Sequence, residues 1–525
     1  MSTSTENSAG TGKGPPIEKW AMFLVGLTLL QSLRIALTSA SLAMVRFKIP
    51  DNRVSEFINL VYNPMKLAVF TGMAIINIMA LTPQLKGWFK RHSKWFAVFT
   101  NITLCLSFIL ILIAFTSGGL LGNLTFYYWT IVFGSFVYGM NEACTMTVGG
   151  THGSFFNVGV PICSILVFFY HFSFKFIAEL MNWSNVAYWT LFWQIVLASF
   201  ISLVSAVVWI VAYTPEGTSD SQNGDNATQE PFADGVKKAW SPILMGVVGI
   251  GGLYVFYPAI APYKLTDIKS GYHIDLAALF ISAVPGISAS ILCIKNIGPD
   301  KRWEGDFRWW HFTWIFALPY FTAMSFCLVA LHNPGSRAAS SIKTRMAAEM
   351  ITITLISCEE ALAAVSYGAA ANQVGKYCSC KCECEECGGC GPEEADCQCV
   401  CKETTCRCCQ KDKDCRETCT CGDCSCKCCK PKDGGIIGAF NSFSTQIAMI
   451  IFSFVGDGYL HTYEKYEGNE DRWPTKHYGT LRSMLFWLNS GAYVAFKSAK
   501  NSFITDVRGK LLDKHETFFI VYADE

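Results

Sequence analysis

The chain has 525 residues, 51% of them hydrophobic and 16% charged, with a formal net charge of +1. That composition, with a positive mean hydropathy, fits poorly with a soluble multidomain protein and well with one that lies in lipid. A near-neutral charge also removes the electrostatic attraction on which nucleic-acid binding depends, so no nucleic-acid partner is expected.

The opening residues, MSTSTENSAGTGKGPP, predict a disordered polar tail over 1–20. They lack the basic start of a secretory signal, so the apolar run behind them is expected to stay as a helix. Runs long enough to cross about 30 Å of hydrocarbon then recur. They lie near 21–45, 60–83, 95–118, 125–149, 154–174, 186–213, 241–263, 274–294, 308–332, 347–370 and 435–456. Their length, and the absence of strict alternation, predicts helices rather than barrel strands.

The expected fold is therefore all-α, a polytopic membrane protein of about 11 spans. A six-helix half over 21–213 is followed by a polar linker over 214–240, rich in Gly, Asp and Asn. Four helices fill 241–370, a Cys-rich loop 371–434 and a last helix 435–458, ahead of a polar to amphipathic tail over 459–525. Within that tail LRSMLFWLNSGAYVAF (Leu481 to Phe496) is interrupted by Arg482, Asn489 and Gly491 and reads as an interfacial helix.

Orientation follows from the basic residues. With the N-terminus inside, the inner loops up to the ninth span hold twelve Lys and Arg and the outer loops nine. This bias places the N-terminus, the linker and, by parity, the Cys-rich loop in the cytoplasm. The sequons at Asn123 and Asn182 then fall outside and the one at Asn226 inside.

Ionisable and amide groups inside spans are costly, a central Arg by about 2.5–3.5 kcal/mol on insertion scales, and usually face a cavity or a partner. Arg34 lies midway through the first span and Lys66 near the start of the second. Asn141 and Glu142 sit in the fourth, Asn157 in the fifth and Gln194 in the sixth, with Glu359 and Glu360 in the tenth. These eight are the candidate lining of a substrate path. The alternative is that they pair across helix contacts, an Arg34–Glu142 pair being one such case. Glu359 and Glu360 are about 100° apart around a helix, so one can line a path while the other bonds a neighbour. Asn63-Pro64, Pro161, Pro258, Pro262, Pro285-Gly286 and Pro319 interrupt apolar segments, either as kinks beside a wet cavity or as ordinary packing.

The division into six helices, a cytoplasmic linker and five more resembles the equilibrative nucleoside transporters, a fold related to the major facilitators. VFYPAIAP (Val255 to Pro262) is similar to that family's run in its seventh span. GMNEACTMTVGG (Gly139 to Gly150) and FFNVGVPICSI (Phe155 to Ile165) are similar to its fourth and fifth. The resemblance implies transport of nucleosides or nucleobases, although the eighth span carries only Asp275 where the family has an Asp and an Arg. The chain also resembles the multi-spanning Tpr-type proteins of piroplasm parasites.

No phosphate loop, His-Glu-x-x-His motif or nucleophile elbow occurs, so no enzyme is expected. His152 reads as a loop residue, and His171 and Lys175 as interfacial.

Of the 25 Cys, 19 fall between 378 and 429. They are Cys378, Cys380, Cys382, Cys384, Cys387, Cys390, Cys397, Cys399, Cys401, Cys406, Cys408, Cys409, Cys415, Cys419, Cys421, Cys424, Cys426, Cys428 and Cys429. The interval holds no aromatic, Leu, Ile, Met or His, so an apolar core cannot order it. Thiolates at this density suit Zn or Cu, and the loop resembles metallothionein in composition and spacing. A disulfide mesh and reduced, acylated thiols are the alternatives.

The sequence thus predicts an integral, multi-pass membrane transporter of a small polar solute whose partner is the lipid bilayer. A metal transporter that uses the Cys loop for delivery or sensing, and a membrane scaffold that buffers metal, are the competing readings.

Overall fold

The computed structural model describes residues 17–214, 232–374 and 435–500 apart from 38, 51–52, 150–152, 296 and 468–472; it also describes six strands between 380 and 428, and 506–511. The expected polar tail up to residue 16, most of the linker, His152 and the sequon at Asn226 lie outside the described residues. So do Cys378, Cys384, Cys408, Cys409, Cys415 and Cys429.

The helices are α1 (Ile17–Leu37), α2 (Ala40–Arg46), α3 (Val54–Leu81), α4 (Pro83–Thr116), α5 (Leu124–Gly149), α6 (Gly153–Leu180) and α7 (Val186–Tyr213). They continue with α8 (Phe232–Lys238), α9 (Trp240–Gly246), α10 (Gly252–Phe256), α11 (Ile268–Ile294), α12 (Ala317–His332), α13 (Arg337–Ile342) and α14 (Arg345–Ala369). The last are α15 (Gly435–Glu464), α16 (Thr480–Lys500) and α17 (Val507–Leu511). Between α14 and α15 lie β1 (Cys380–Cys382), β2 (Cys387–Glu393), β3 (Asp396–Cys401), β4 (Thr404–Arg407), β5 (Thr418–Cys421) and β6 (Cys424–Cys428).

Each of the eleven expected spans is helical. Among the described residues seven helices are long and apolar enough to cross a membrane, or nine if two bent pairs each count as one span. The bent pairs are α1 with α2, at 51°, and α8 with the helix from Trp240 to Phe256, at 74°. The two remaining expected spans are α5 and α14, of 26 and 25 residues. At about 1.5 Å per residue both exceed the 30 Å needed to cross. They carry Asn141, Glu142, Glu359 and Glu360, which lower their apolar character.

The seventh span departs from its expected bounds of 241–263. A π-helical turn over Val247–Gly251 interrupts it, and regular helix stops at Phe256. Pro258 accounts for the stop: the residue before a proline is driven out of the α region, and Tyr257 is extended (φ −106°, ψ 140°). The π-turn leaves the Gly249 carbonyl to accept a 2.6 Å hydrogen bond from the Tyr320 hydroxyl.

The chain forms two compact units, one of residues 1–218, 258–283 and 496–525 and one of 219–257 and 284–495. In the first, α1 packs on α6 and α7, α3 on α5, and α4 on α5 and α7. Glycines permit the closest approaches. A Cβ at Gly26 would land on the Phe156 carbonyl and one at Gly159 on the Phe23 carbonyl, and Gly72 and Gly139 make the matching contact between α3 and α5. At one end of this unit the Arg46 guanidinium gathers four carbonyls, of Phe115 (3.1 Å), Ser117 (3.1 Å), Gly119 (3.0 Å) and Leu120 (3.2 Å). The turn that presents them needs positive φ at Gly118 and Gly119, which only glycine adopts freely.

In the second unit α14 packs on α9 and α12, and α15 packs on the π-turn and α10. His332 at the end of α12 bonds the Tyr459 hydroxyl at 2.7 Å. It sits among the rings of Tyr463, Trp473 and Trp487. That contact fastens α16 to the ends of α12 and α15. Gly491 of α16 lies against Gly458 of α15. The segment expected as a helix in the tail is helical over Thr480–Lys500, which is not among the candidate spans of the described residues.

Candidate functional site

The first unit holds a chain of buried polar side chains drawn from three helices, the break between α1 and α2 and the segment before α11. At that break Ser39, fully buried, donates to Gln194 Oε1 on α7. The same oxygen accepts from His171 Nε2 of α6 at 2.9 Å. With Nε2 as donor the imidazole is in one neutral tautomer, and its Nδ1 accepts from the Tyr272 hydroxyl of α11 at 2.7 Å. Beside this, Tyr263 donates to Asp275 Oδ2 at 2.7 Å. His171, Gln194 and Asp275 are 0%, 1% and 2% exposed, so these bonds form away from water.

His171, expected from sequence near the close of the fifth span, is a buried, doubly bonded residue, and α6 runs on past it to Leu180. Lys175, one turn on, reaches His273 Nε2 at 3.4 Å.

A second group joins α3 and α5. Lys66, 9% exposed, lies over the Tyr62 ring at 4.8 Å. It is the cation near Glu142, whose carboxylate also accepts from Tyr138. Next to it, the fully buried Asn141 donates to Thr100 Oγ1 on α4 at 3.2 Å. The sequence offered Arg34 as the partner of Glu142, but Lys66 takes that role, and Arg34 donates to Ser164 Oγ on α6 at 2.7 Å. Helix rotation decides this: Arg34 lies on the face of α1 that packs on α6.

Of the eight candidate path residues, Arg34, Lys66, Asn141, Glu142, Asn157 and Gln194 belong to the first unit and Glu359 and Glu360 to the second. Asn157 is exposed and joins neither polar group. In α14 Glu359 is buried and faces Tyr320, while Glu360 is half-buried, as their angular separation requires. The residues missed from sequence are His171, Tyr272, Tyr263 and Ser39. His171 already fell within the expected fifth span, 154–174; nothing in sequence pairs it with Gln194.

The arrangement retains hydrogen-bonding capacity. Among the buried side-chain atoms without a partner are Gln194 Nε2, Asn141 Oδ1, Gln31 Nε2 and Arg34 Nε. They offer donors and an acceptor inside a helical unit where water is scarce. Such groups cost free energy unless something completes them.

Thirteen of the nineteen thiol positions lie on the described strands and six outside the described residues. The expected thiolate–metal bonds fall outside what the structure describes there.

No protein-family model matches the chain, and no curated protein does. Among solved structures, a mutant of the nucleoside transporter NupG aligns over 93% of this chain and 100% of its own, at 11% identity and a TM-score of 0.42.

Proposed function

We propose that the chain is an integral membrane transporter of a small polar solute, uncharged or nearly so. The observation that carries this reading is the buried network of Ser39, Gln194, His171 and Tyr272 among candidate spans, with an unsatisfied amide nitrogen on Gln194 itself and, elsewhere in the same unit, an unsatisfied amide oxygen on Asn141. Neutral donors and acceptors of both kinds suit a solute that presents several of each. Lys66 lies near Glu142, so these two charges offset one another. Within this reading nucleosides or nucleobases are the substrate class, on the sequence resemblance in the fourth, fifth and seventh spans, because a nucleobase edge alternates donor and acceptor as an amide does.

The test is uptake by purified protein in liposomes against nucleosides, nucleobases, amino acids, sugars, Zn and Cu. Saturable uptake of one organic class, abolished by Arg34→Leu in a protein that still elutes as a single folded species, is the expected result. Uptake of metal alone would replace the reading with a metal transporter, and no uptake at all with a scaffold.

A further inference from the structure

A charge held inside a helical membrane unit needs an opposite charge, or a set of dipoles, in place of the water it has left. The cations of the first unit differ in how they meet that need. Lys66 has Glu142 near it, Arg53 has Glu56 at 3.1 Å, and Arg46 has its four carbonyl oxygens. Arg34 has one neutral oxygen, the Ser164 hydroxyl at 2.7 Å, and among the described residues no carboxylate stands in ion-pair range of it. The groups around it add donors rather than negative charge. Its own Nε–H is buried and without a partner. Gln31, three residues earlier on α1 and therefore on the same helix face, is 2% exposed, and its Nε2 is likewise unpartnered. Ser164, 1% exposed, uses its oxygen to accept from Arg34, which leaves its own O–H to donate.

We propose that Arg34, Gln31 and Ser164 form a binding site for a small monovalent inorganic anion, for which chloride is the probe. Such an ion supplies what these side chains lack. It accepts N–H and O–H bonds from several directions, and its single negative charge balances the guanidinium. It also needs little room. The helices that present the site touch backbone to backbone at Gly26 and Gly159, about one to two turns before Arg34 and Ser164, which favours a small anion over a bulky one. Arg34 lies within the bent pair formed by α1 and α2, away from both of its ends, so the ion is drawn from solution and is not a lipid headgroup. The site goes beyond the transport reading and does not depend on which solute is carried. An anion at Arg34 would leave a neutral solute facing no unbalanced charge there.

The test uses the full-length protein purified in detergent. Its thermal midpoint is followed in sodium chloride against sodium gluconate at equal ionic strength, and chloride binding by the line width of the chloride NMR signal. The expected result is a saturable rise of the midpoint with chloride, shared by bromide, and a line broadening that bromide reverses. Arg34→Gln should abolish both. Gln31→Leu and Ser164→Ala should each raise the half-saturating chloride concentration about tenfold, the effect of losing one hydrogen bond to a charged group. Arg34→Lys keeps the charge and should retain weaker binding, which keeps the test decisive if Arg34→Gln does not fold. Lys175→Met removes a cation elsewhere in the unit and should leave chloride binding unchanged. No chloride-dependent shift or broadening in the wild type overturns the proposal, as does an equal loss in Lys175→Met, which would mean a general response to net charge. Uptake in liposomes separates this site from the transport reading. Uptake of a neutral solute by a protein that binds no chloride removes the site and leaves the transporter. Displacement of chloride by an organic carboxylate that is itself taken up would make Arg34 the anchor of an anionic solute and remove both the site and the neutral-solute reading.

Discussion

His171 Nε2 and Gln194 Oε1 meet at 2.9 Å between α6 and α7, and the same oxygen accepts a hydrogen bond from the Ser39 hydroxyl. One amide oxygen thus satisfies two donors from two other segments of the chain. Gln194→Leu leaves both buried donors without an acceptor, and each such group costs about 1–3 kcal/mol. The expected outcome is a clear drop in the thermal midpoint in detergent. His171→Phe combined with Gln194→Leu should recover part of it, because fewer donors remain stranded. A double variant as unstable as the sum of the singles would show that the bond contributes nothing.

Lys66 and Glu142 make a second, charged test within the first unit. Lys66 is buried and Glu142 half-buried, so removing one member should cost less than the roughly 3–5 kcal/mol of a fully buried pair, whereas replacing both by neutral groups of similar size is often close to neutral. Lys66→Met and Glu142→Gln are each expected to destabilise, and the double variant to be milder than either. Transport should be impaired in all three if the pair lines the path. Additive losses in a thermal-unfolding cycle would mean that the two charges do not interact.

How much of this was legible in the sequence differs between elements for physical reasons. Spans are written in runs of about 20 apolar residues, so each of the eleven expected helices is present, α5 and α14 included despite their charged residues. Breaks within spans are written only where proline stands: Pro258 explains the end at Phe256 and Pro242, in the first turn of α9, marks the 74° bend between α8 and α9, but no proline announces the 51° bend between α1 and α2. Partner choice is less legible still. A sequence gives the height of Arg34 or His171 along a helix but not the rotation of that helix against its neighbours, and rotation sent Arg34 to Ser164 and left Glu142 to Lys66.

Asp267 precedes the first turn of α11 and accepts from the Ser270 backbone N–H at 3.0 Å, the arrangement of an N-cap. The Ser270 bonds hold its carboxyl below the ordinary carboxylate range. A group whose pKa is lowered on folding contributes stability above its unfolded pKa, about 3.9 for Asp, and loses it as pH falls through the lower folded value. Asp267→Ala should cost about 1 kcal/mol at neutral pH, and the gap to wild type should close in acid below about pH 4. Asp267→Asn, which keeps an acceptor oxygen, should show a smaller and pH-independent loss. A gap that widens in acid would contradict the capping role.

Gly26 and Gly159 let α1 and α6 touch backbone to backbone. A methyl group at either has no room, since the atoms it meets are main-chain and cannot rotate away. Gly26→Ala and Gly159→Ala are each expected to cost about 1–3 kcal/mol as overpacking, while Gly87→Ala, with open space around it, should be neutral or slightly stabilising. Thermal midpoints of the three variants in one detergent check this directly, and equal midpoints would show that the helices approach less closely.

Arg46 ends α2 and reaches the last turn of α4 and the glycine turn behind it. Two of its acceptors, the carbonyls of Phe115 and Ser117, are in partly buried bonds, and the other two are in exposed ones. Water can replace the guanidinium at the exposed pair but only poorly at the other. Hydrogen bonds to a charged group contribute about 1.5–3 kcal/mol each, so Arg46→Leu should destabilise by about 3 kcal/mol. Its guanidinium also lies within 5.6–5.9 Å of the Phe47, Phe115 and Tyr188 ring centroids. Lysine offers one compact charge and no planar fork, so it cannot span carbonyls on both sides of the turn or stack on those rings. Arg46→Lys should therefore retain most of the loss, and protease should cut the 117–122 turn faster in both variants. Wild-type stability of Arg46→Lys would mean that charge alone, and not the geometry of the fork, holds this end of the unit.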